Sequence, residues 1–250
     1  MTTRGFRDAV GAIASAGLLL VVSCVVAQPG SARANAPGET SSTNTSPGNS
    51  SPGAITNPAA AVARARLAAR LHGKPPTEQL DYLRTLQRGG RDDEALSFHM
   101  GNVFYALGKN DSAVAYFRHA TDLDPKNSKT WVNLGLVYDA MHQRGAARQA
   151  FHRAIEINPR DVLAHCHLGS TYYDSGDVNK AVTLWLEALQ IDPRSAQARY
   201  DLGTAFADEK IFGEAVTEWK KVIELDPNGD LGKSARENVK LIETYLDLEK

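Results

Sequence analysis

The sequence contains little from which a reaction centre could be built. It has 2 cysteines in 250 residues, which excludes a disulfide-stapled scaffold and a four-cysteine zinc site. Charge of one sign is not in excess: 28 basic against 29 acidic side chains leave −1. That balance selects neither nucleic acid nor an anionic membrane as a partner. Long apolar runs are missing except at the N-terminus, which excludes a protein with many membrane spans. No glycine-rich phosphate loop follows a strand, no segment alternates as a strand does, and no nucleophile elbow occurs. His72, His99, His119, His142 and His152 never take the His-x-x-x-His spacing of a metal helix. Asp and Glu are scattered, as on solvated helix faces. Neither catalytic, metal-binding nor cofactor-binding residues are expected, and no small-molecule substrate.

The apolar run lies behind Arg4 and Arg7 and extends from Ala9 to Ala27. A basic segment followed by an apolar one reads as an export signal over residues 1–27. Three fates fit it. A signal peptidase could cut near Ala27 or at Ala32-Arg33-Ala34. The run is also long enough to stay as an uncleaved anchor. Finally, Val21-Val22-Ser23-Cys24 resembles the lipobox of bacterial lipoproteins, which would make Cys24 a lipidated first residue, although Val25, Val26 and Ala27 continue the apolar run where a polar tether is usual. Each places the chain at a bacterial envelope, membrane-tethered, periplasmic or secreted.

Residues 28–58 come next, in which Ser, Thr, Pro, Gly and Asn fill 23 of 31 positions. Such a segment cannot bury enough apolar surface to offset its ordering entropy, and reads as a disordered tether. As a coil it would span about 30 Å. Residues 59–93 then turn helical and basic. Ala59–Leu71 is alanine-rich, Pro75-Pro76 interrupts, and Thr77–Arg88 resumes with Leu80, Leu83 and Leu86 near one face. Seven Lys and Arg against Glu78 and Asp81 give residues 59–91 a charge of +5. Either the patch meets an anionic partner, or these helices cap the part of the chain that begins at Glu94. Only Tyr82 interleaves the charges, so base stacking has no support.

A 34-residue period dominates the rest. Asp124-Pro125, Asn158-Pro159, Asp192-Pro193 and Asp226-Pro227 recur without a gap and define windows 94–127, 128–161, 162–195 and 196–229. Position 8 is Gly101, Gly135, Gly169 and Gly203. Position 20 is Ala113, Ala147, Ala181 and Ala215. Position 24 is Phe117, Phe151, Trp185 and Trp219. Each window holds two amphipathic helices. The small residues let the helix backbones approach, the aromatics fill the surrounding volume, and proline stops the second helix. Asp93, Asn127, Asp161 and Ser195 are placed to cap the next helix. Position 4 is aromatic only at Trp131; Ser97, His165 and Arg199 replace it, and looser interfaces are expected there. Residues 230–250 carry Leu231, Ala235, Val239, Ile242 and Leu246 on one helical stripe, as the end of a stack requires.

These phased positions resemble the tetratricopeptide repeat family. The second window is the nearest match, with Trp131, Leu134, Gly135, Tyr138, Ala147, Phe151, Ala154 and Pro159 in family positions. The resemblance implies an all-α fold: a right-handed α-solenoid of helix pairs with a C-terminal capping helix. It also implies a concave groove lined by the first helix of each repeat. Carried onto this chain, the groove takes Phe98, Asn102 and Tyr105 from the first repeat. The second contributes Lys129, Val132, Leu136 and Asp139; the third contributes Leu163, Cys166, Ser170, Tyr173 and Asp174. Gln197, Tyr200, Thr204 and Asp208 come from the fourth. Apolar and aromatic with three acids to one side, it suits a peptide or helix with hydrophobic anchors and a basic residue. The carboxylate clamp of the chaperone-binding members is not expected. Asn102 and Asn133 match its asparagines, but Phe98, Leu163 and His167 stand where it has cations.

His165-Cys166-His167 is the one cluster suggestive of a metal, yet residues one and two apart on a helix do not share a face. The expected function is a non-enzymatic envelope scaffold binding a protein partner; small lipoproteins of this family that assist pilus assembly have a similar layout. Two alternatives remain: a subunit recruiting a cell-wall enzyme, and a metal- or redox-responsive module around Cys166.

Overall fold

The structure, a computed structural model, describes residues 57–248; side chains are described to Asp247. The export segment, including Cys24, and nearly all of the tether lie outside the described residues. Those described form eleven helices and no strand. They are α1 (Pro58–Leu71), α2 (Pro76–Arg88), α3 (Glu94–Ala106), α4 (Asn110–Leu123), α5 (Ser128–Ala140), α6 (Arg144–Ile157), α7 (Val162–Tyr173), α8 (Val178–Ile191), α9 (Ala196–Asp208), α10 (Phe212–Leu225) and α11 (Asp230–Leu248). They divide into two compact units, at Ala164/His165.

Within each repeat the helix pair closes over one contact. A Cβ built on Gly135 would lie 2.5 Å from the Phe151 ring, and on Gly101 2.7 Å from Phe117. Gly169 and Gly203 would come within 2.5 Å and 2.6 Å of the indoles of Trp185 and Trp219. The glycine therefore admits the facing aromatic ring, rather than the neighbouring backbone, and any larger residue would displace a fully packed side chain. The two tryptophans add a bond that phenylalanine cannot make. Trp185 Nε1 donates to the Cys166 carbonyl at 3.2 Å and Trp219 Nε1 to that of Tyr200 at 3.3 Å.

Three of the four Asp/Asn-Pro pairs end the second helices by a shared device. The side chains of Asp124, Asn158 and Asp192 accept from the amides of Lys126, Arg160 and Arg194 at 3.2, 3.2 and 2.9 Å. This Asx turn redirects the chain while proline denies the helix its next donor. The next helix starts on a side-chain cap at three of the four expected positions: Asp93 accepts from Leu96, Asp161 from Ala164 and Ser195 from Ala198. Asn127 does not cap. Its amide donates instead to Glu94 Oε1 and Thr130 Oγ1, at 2.8 and 2.7 Å.

The expected slackness at position 4 is also corrected. Ser97 Oγ meets His119 Nδ1 at 2.9 Å, and buried His165 faces Glu187 at 3.6 Å. Arg199 reaches Glu218 at 2.7 Å and the Pro193 carbonyl at 2.6 Å. Trp131 Nε1 donates to the equivalent Pro125 carbonyl at 3.1 Å. Arg199 thus takes over the tryptophan's bond to the proline carbonyl, while Ser97 and His165 meet side chains of the second helix instead.

The basic lead-in packs as a fifth helix pair. Leu67, Leu71, Leu80 and Leu83 are buried in one core with Leu96, Met100 and Phe104. Helix α2 begins 18 residues before α3, as α4 begins 18 before α5. Helix α1 is held on α3 by Arg64, whose Nη1 lies 2.5 Å from Glu94 Oε2 and 3.8 Å from Asp124 Oδ2. His99 Nε2 adds a bond to the Arg64 carbonyl at 3.0 Å. At the other end α11 packs on α10 and α9, burying Ala235, Val239 and Ile242. Leu246, expected on that stripe, is 37% exposed.

Candidate functional site

The residues expected to line a groove fall on α3 and α5 in one unit, and on α7 and α9 in the other, apart from Leu163 and Asp174 near the ends of α7. Leu163, before the division, is 54% exposed.

On α3 and α5 the face is half-buried and already internally bonded. Phe98 is covered by the Arg64 guanidinium, 6.0 Å from its ring centre, and packs edge-on to Phe117. Asn133 Nδ2 donates to Asn102 Oδ1 at 2.8 Å, so the two clamp-like asparagines satisfy each other. Tyr105 and Leu136 are half-buried and Lys129 exposed. Burial first, and then the charge of half-buried Asp139, push the Tyr105 hydroxyl pKa up. Val132 is buried at 5% exposure. It belongs to the packing and is removed from the expected groove.

Cys166 is removed for the same reason. Its side chain is fully buried, with Sγ 4.0 Å from Ser195 Oγ. No group of three metal-ligating side chains occurs among the described residues. His165, beside Cys166, turns to Glu187.

The open face of the second unit is richer. Ser170 Oγ lies 3.0 Å from the Cys166 carbonyl oxygen and 3.5 Å from Asp201 Oδ2, and its one proton serves either acceptor. Gln197 Nε2 donates to Asp201 Oδ1 at 2.9 Å. Removal from water pushes the Asp201 carboxyl up to about 7, against the downward pull of these two hydrogen bonds. Tyr173 donates its hydroxyl proton to Asp208, and its ring rests 5.5 Å from that of Trp185. Burial raises its pKa most. The Asp208 bond and charge and the charges of Glu209 and Asp174 raise it further. Tyr200 receives a bond from Asn238 Nδ2 of α11 at 3.2 Å, and Thr204 bonds the Tyr200 carbonyl. Leu241, 70% exposed, follows Asn238 by about one turn on the same side of α11.

Sequence reasoning missed Asp201 and Asn238. Asp201 stands at position 6, next to a groove position, and nothing local marks it. It also missed a crevice of about 430 Å³ on the opposite side of α5. Trp131, Leu134 and Tyr138 form its floor, and Arg118 and Arg153 its rim. Position 4 was legible as packing, but not as the wall of a cavity.

Models of repeat families match the chain. One described as "TPR repeat" covers residues 101–141 and 169–210, and one described as "Tetratricopeptide repeat" covers 128–161. No curated protein matches it in sequence. Among solved structures, "MamA 41-end from Desulfovibrio magneticus RS-1" superposes with a TM-score of 0.56 at 24% identity, over 68% of this chain and 97% of that one. "Crystal structure of MamA" gives 0.52 at 22%, over 60% and 91%. These likenesses concern the fold: all-α, built of helix pairs, with tetratricopeptide repeats over the matched residues.

Proposed function

We propose that the chain is a non-enzymatic protein-interaction scaffold that holds a partner peptide or helix against the open faces of its first helices. The observation that carries this reading is the half-buried row of Tyr173, Gln197, Tyr200 and Thr204, with the rings of Tyr173 and Tyr200 backed by Trp185 and Trp219 at 5.5 and 6.4 Å. Side chains fixed from behind and open in front are what a binding surface needs, because little ordering entropy remains to oppose association. The tetratricopeptide repeats agree with an interaction role.

The same proposal sets the protein at the cell envelope, in the assembly of an envelope complex such as a pilus. Its support is the sequence of residues 1–27, with Cys24 as the lipid acceptor. Metabolic labelling with a radioactive fatty acid tests that part: label should enter the wild type and be absent from Cys24→Ser. Crosslinking in the native cell tests the scaffold. Tyr173→Ala and Tyr200→Ala should weaken capture of the main partner while circular dichroism stays unchanged. Unaltered capture rejects the groove.

A further inference from the structure

The face of α7, α9 and α11 in the second unit has a charge character that its rigidity alone does not require. Asp201 and Asp208 lie seven residues apart on α9, so two turns, about 10 Å, separate them along one side of the helix. Tyr173 lies beside Asp208; Tyr200, one residue before Asp201, is turned about 100° from it around α9, toward Asn238 of α11. Three carboxylates, Asp208, Glu209 and Asp174, act together on the Tyr173 hydroxyl. Helices α7 and α9 carry one Lys or Arg between them, and that residue, Arg199, is turned to Glu218 and the Pro193 carbonyl. The donors to Asp201, Ser170 and Gln197, are neutral. Of the three α11 cations, Lys233 is turned to Asp230, and Arg236 and Lys240, two residues either side of Asn238, lie off the side of that helix that meets Tyr200. An aromatic face with acids along it complements a cation carried on an apolar segment. Tyrosine rings attract an ammonium or guanidinium over their faces, and exposed Leu241 offers an apolar contact alongside.

We infer that this face binds a partner polypeptide through a lysine or arginine set between Asp201 and Asp208, with an adjacent apolar residue on Tyr200 and Leu241. The inference rests on the groove reading above and narrows it to a basic, partly apolar segment. A guanidinium or ammonium there replaces the neutral donors on Asp201 and gives it a compensating charge in a partly desolvated place.

The test is a displayed library of random short peptides, selected on the full chain and on the Asp201→Asn/Asp208→Asn double variant. Asparagine keeps the shape and an acceptor oxygen, so the variant should fold, as a thermal melt will confirm. Peptides selected on the wild type should be enriched in Lys or Arg next to an apolar residue. The double variant should retain them about tenfold less well. Absence of any retained peptide, absence of basic enrichment, or equal retention by the variant overturns the inference. If retention is equal but Tyr173→Ala/Tyr200→Ala still abolishes it, the groove reading stands and only the cation is wrong. Sedimentation that finds the wild type self-associated and the double variant monomeric also overturns it, because a second copy would then fill the face.

Discussion

At the scale of single residues, the position-8 glycines and the left-handed turn residues have opposite consequences. Gly135 lies under a ring that is wholly buried, so a methyl group there has nowhere to go. Gly135→Ala gains helix propensity of about 1 kcal/mol, yet overpacking should outweigh it and leave a net loss of about 1–2 kcal/mol. Urea unfolding measures this, and a stabilised variant would contradict the packing described. Position 15 is different. Gly108 and Gly176 have φ of 69° and 80°, and the same place in the other repeats holds His142 at 58° and Lys210 at 65°. An L-residue is strained there by about 1 kcal/mol. Lys210→Gly should therefore raise stability by roughly 0.5–1 kcal/mol, whereas Gly176→Ala should lower it. Paired thermal melts decide both.

Between elements, the decisive contact is α1 on α3. Glu94 is 4% exposed and Arg64 12%. Glu94 also accepts from Asn127 and Thr130, so one carboxylate joins α1, α3 and α5. Removing the cation strands a buried charge, which typically costs about 3 kcal/mol or more. Arg64→Met should release α1, seen as fast amide exchange across Pro58–Leu71 with α8 to α11 unaffected. Uniform exchange changes would refute a local clamp. The seven cations of the lead-in were legible as a patch. That one of them was consumed by acids at least 30 residues away was not, because ion pairs follow folding rather than sequence distance.

For the molecule as a whole, among the described residues, His99 and Asp201 have pKa shifts of opposite consequence for stability, one in each unit. His99 in the 57–164 unit has its pKa lowered, chiefly by burial. Its unfolded form takes up a proton first as pH falls through about 6.5, so acid weakens that unit. Asp201 in the 165–248 unit is raised to about 7 from 3.8. Its folded form holds the proton longer than its unfolded form, so that contribution is complete below about 4 and is lost as pH rises through 7. As pH falls from 7.5 to 5, amide protection factors, taken against the intrinsic exchange rate at each pH, should therefore decrease around α3 and increase around α9. Asp201→Asn should flatten the second trend and leave the first. Parallel trends in both units would reject this assignment.

The sequence by itself determined the repeat, its helix pairs, their stops and three of four caps, because each depends on neighbours within one turn or on a ring and a glycine a fixed 16 residues apart. It also placed tyrosines and acids at the expected groove positions. Only the tertiary structure decided which groove positions reach solvent: Val132 and Cys166 have the spacing of lining residues but are covered. It alone joined Asp201 to Ser170 and Asn238 to Tyr200, and paired Arg64 with Glu94. Burial and ion pairing are set by how far one helix slides and turns against another, and that displacement is a sum over many packed side chains rather than a property of any short segment.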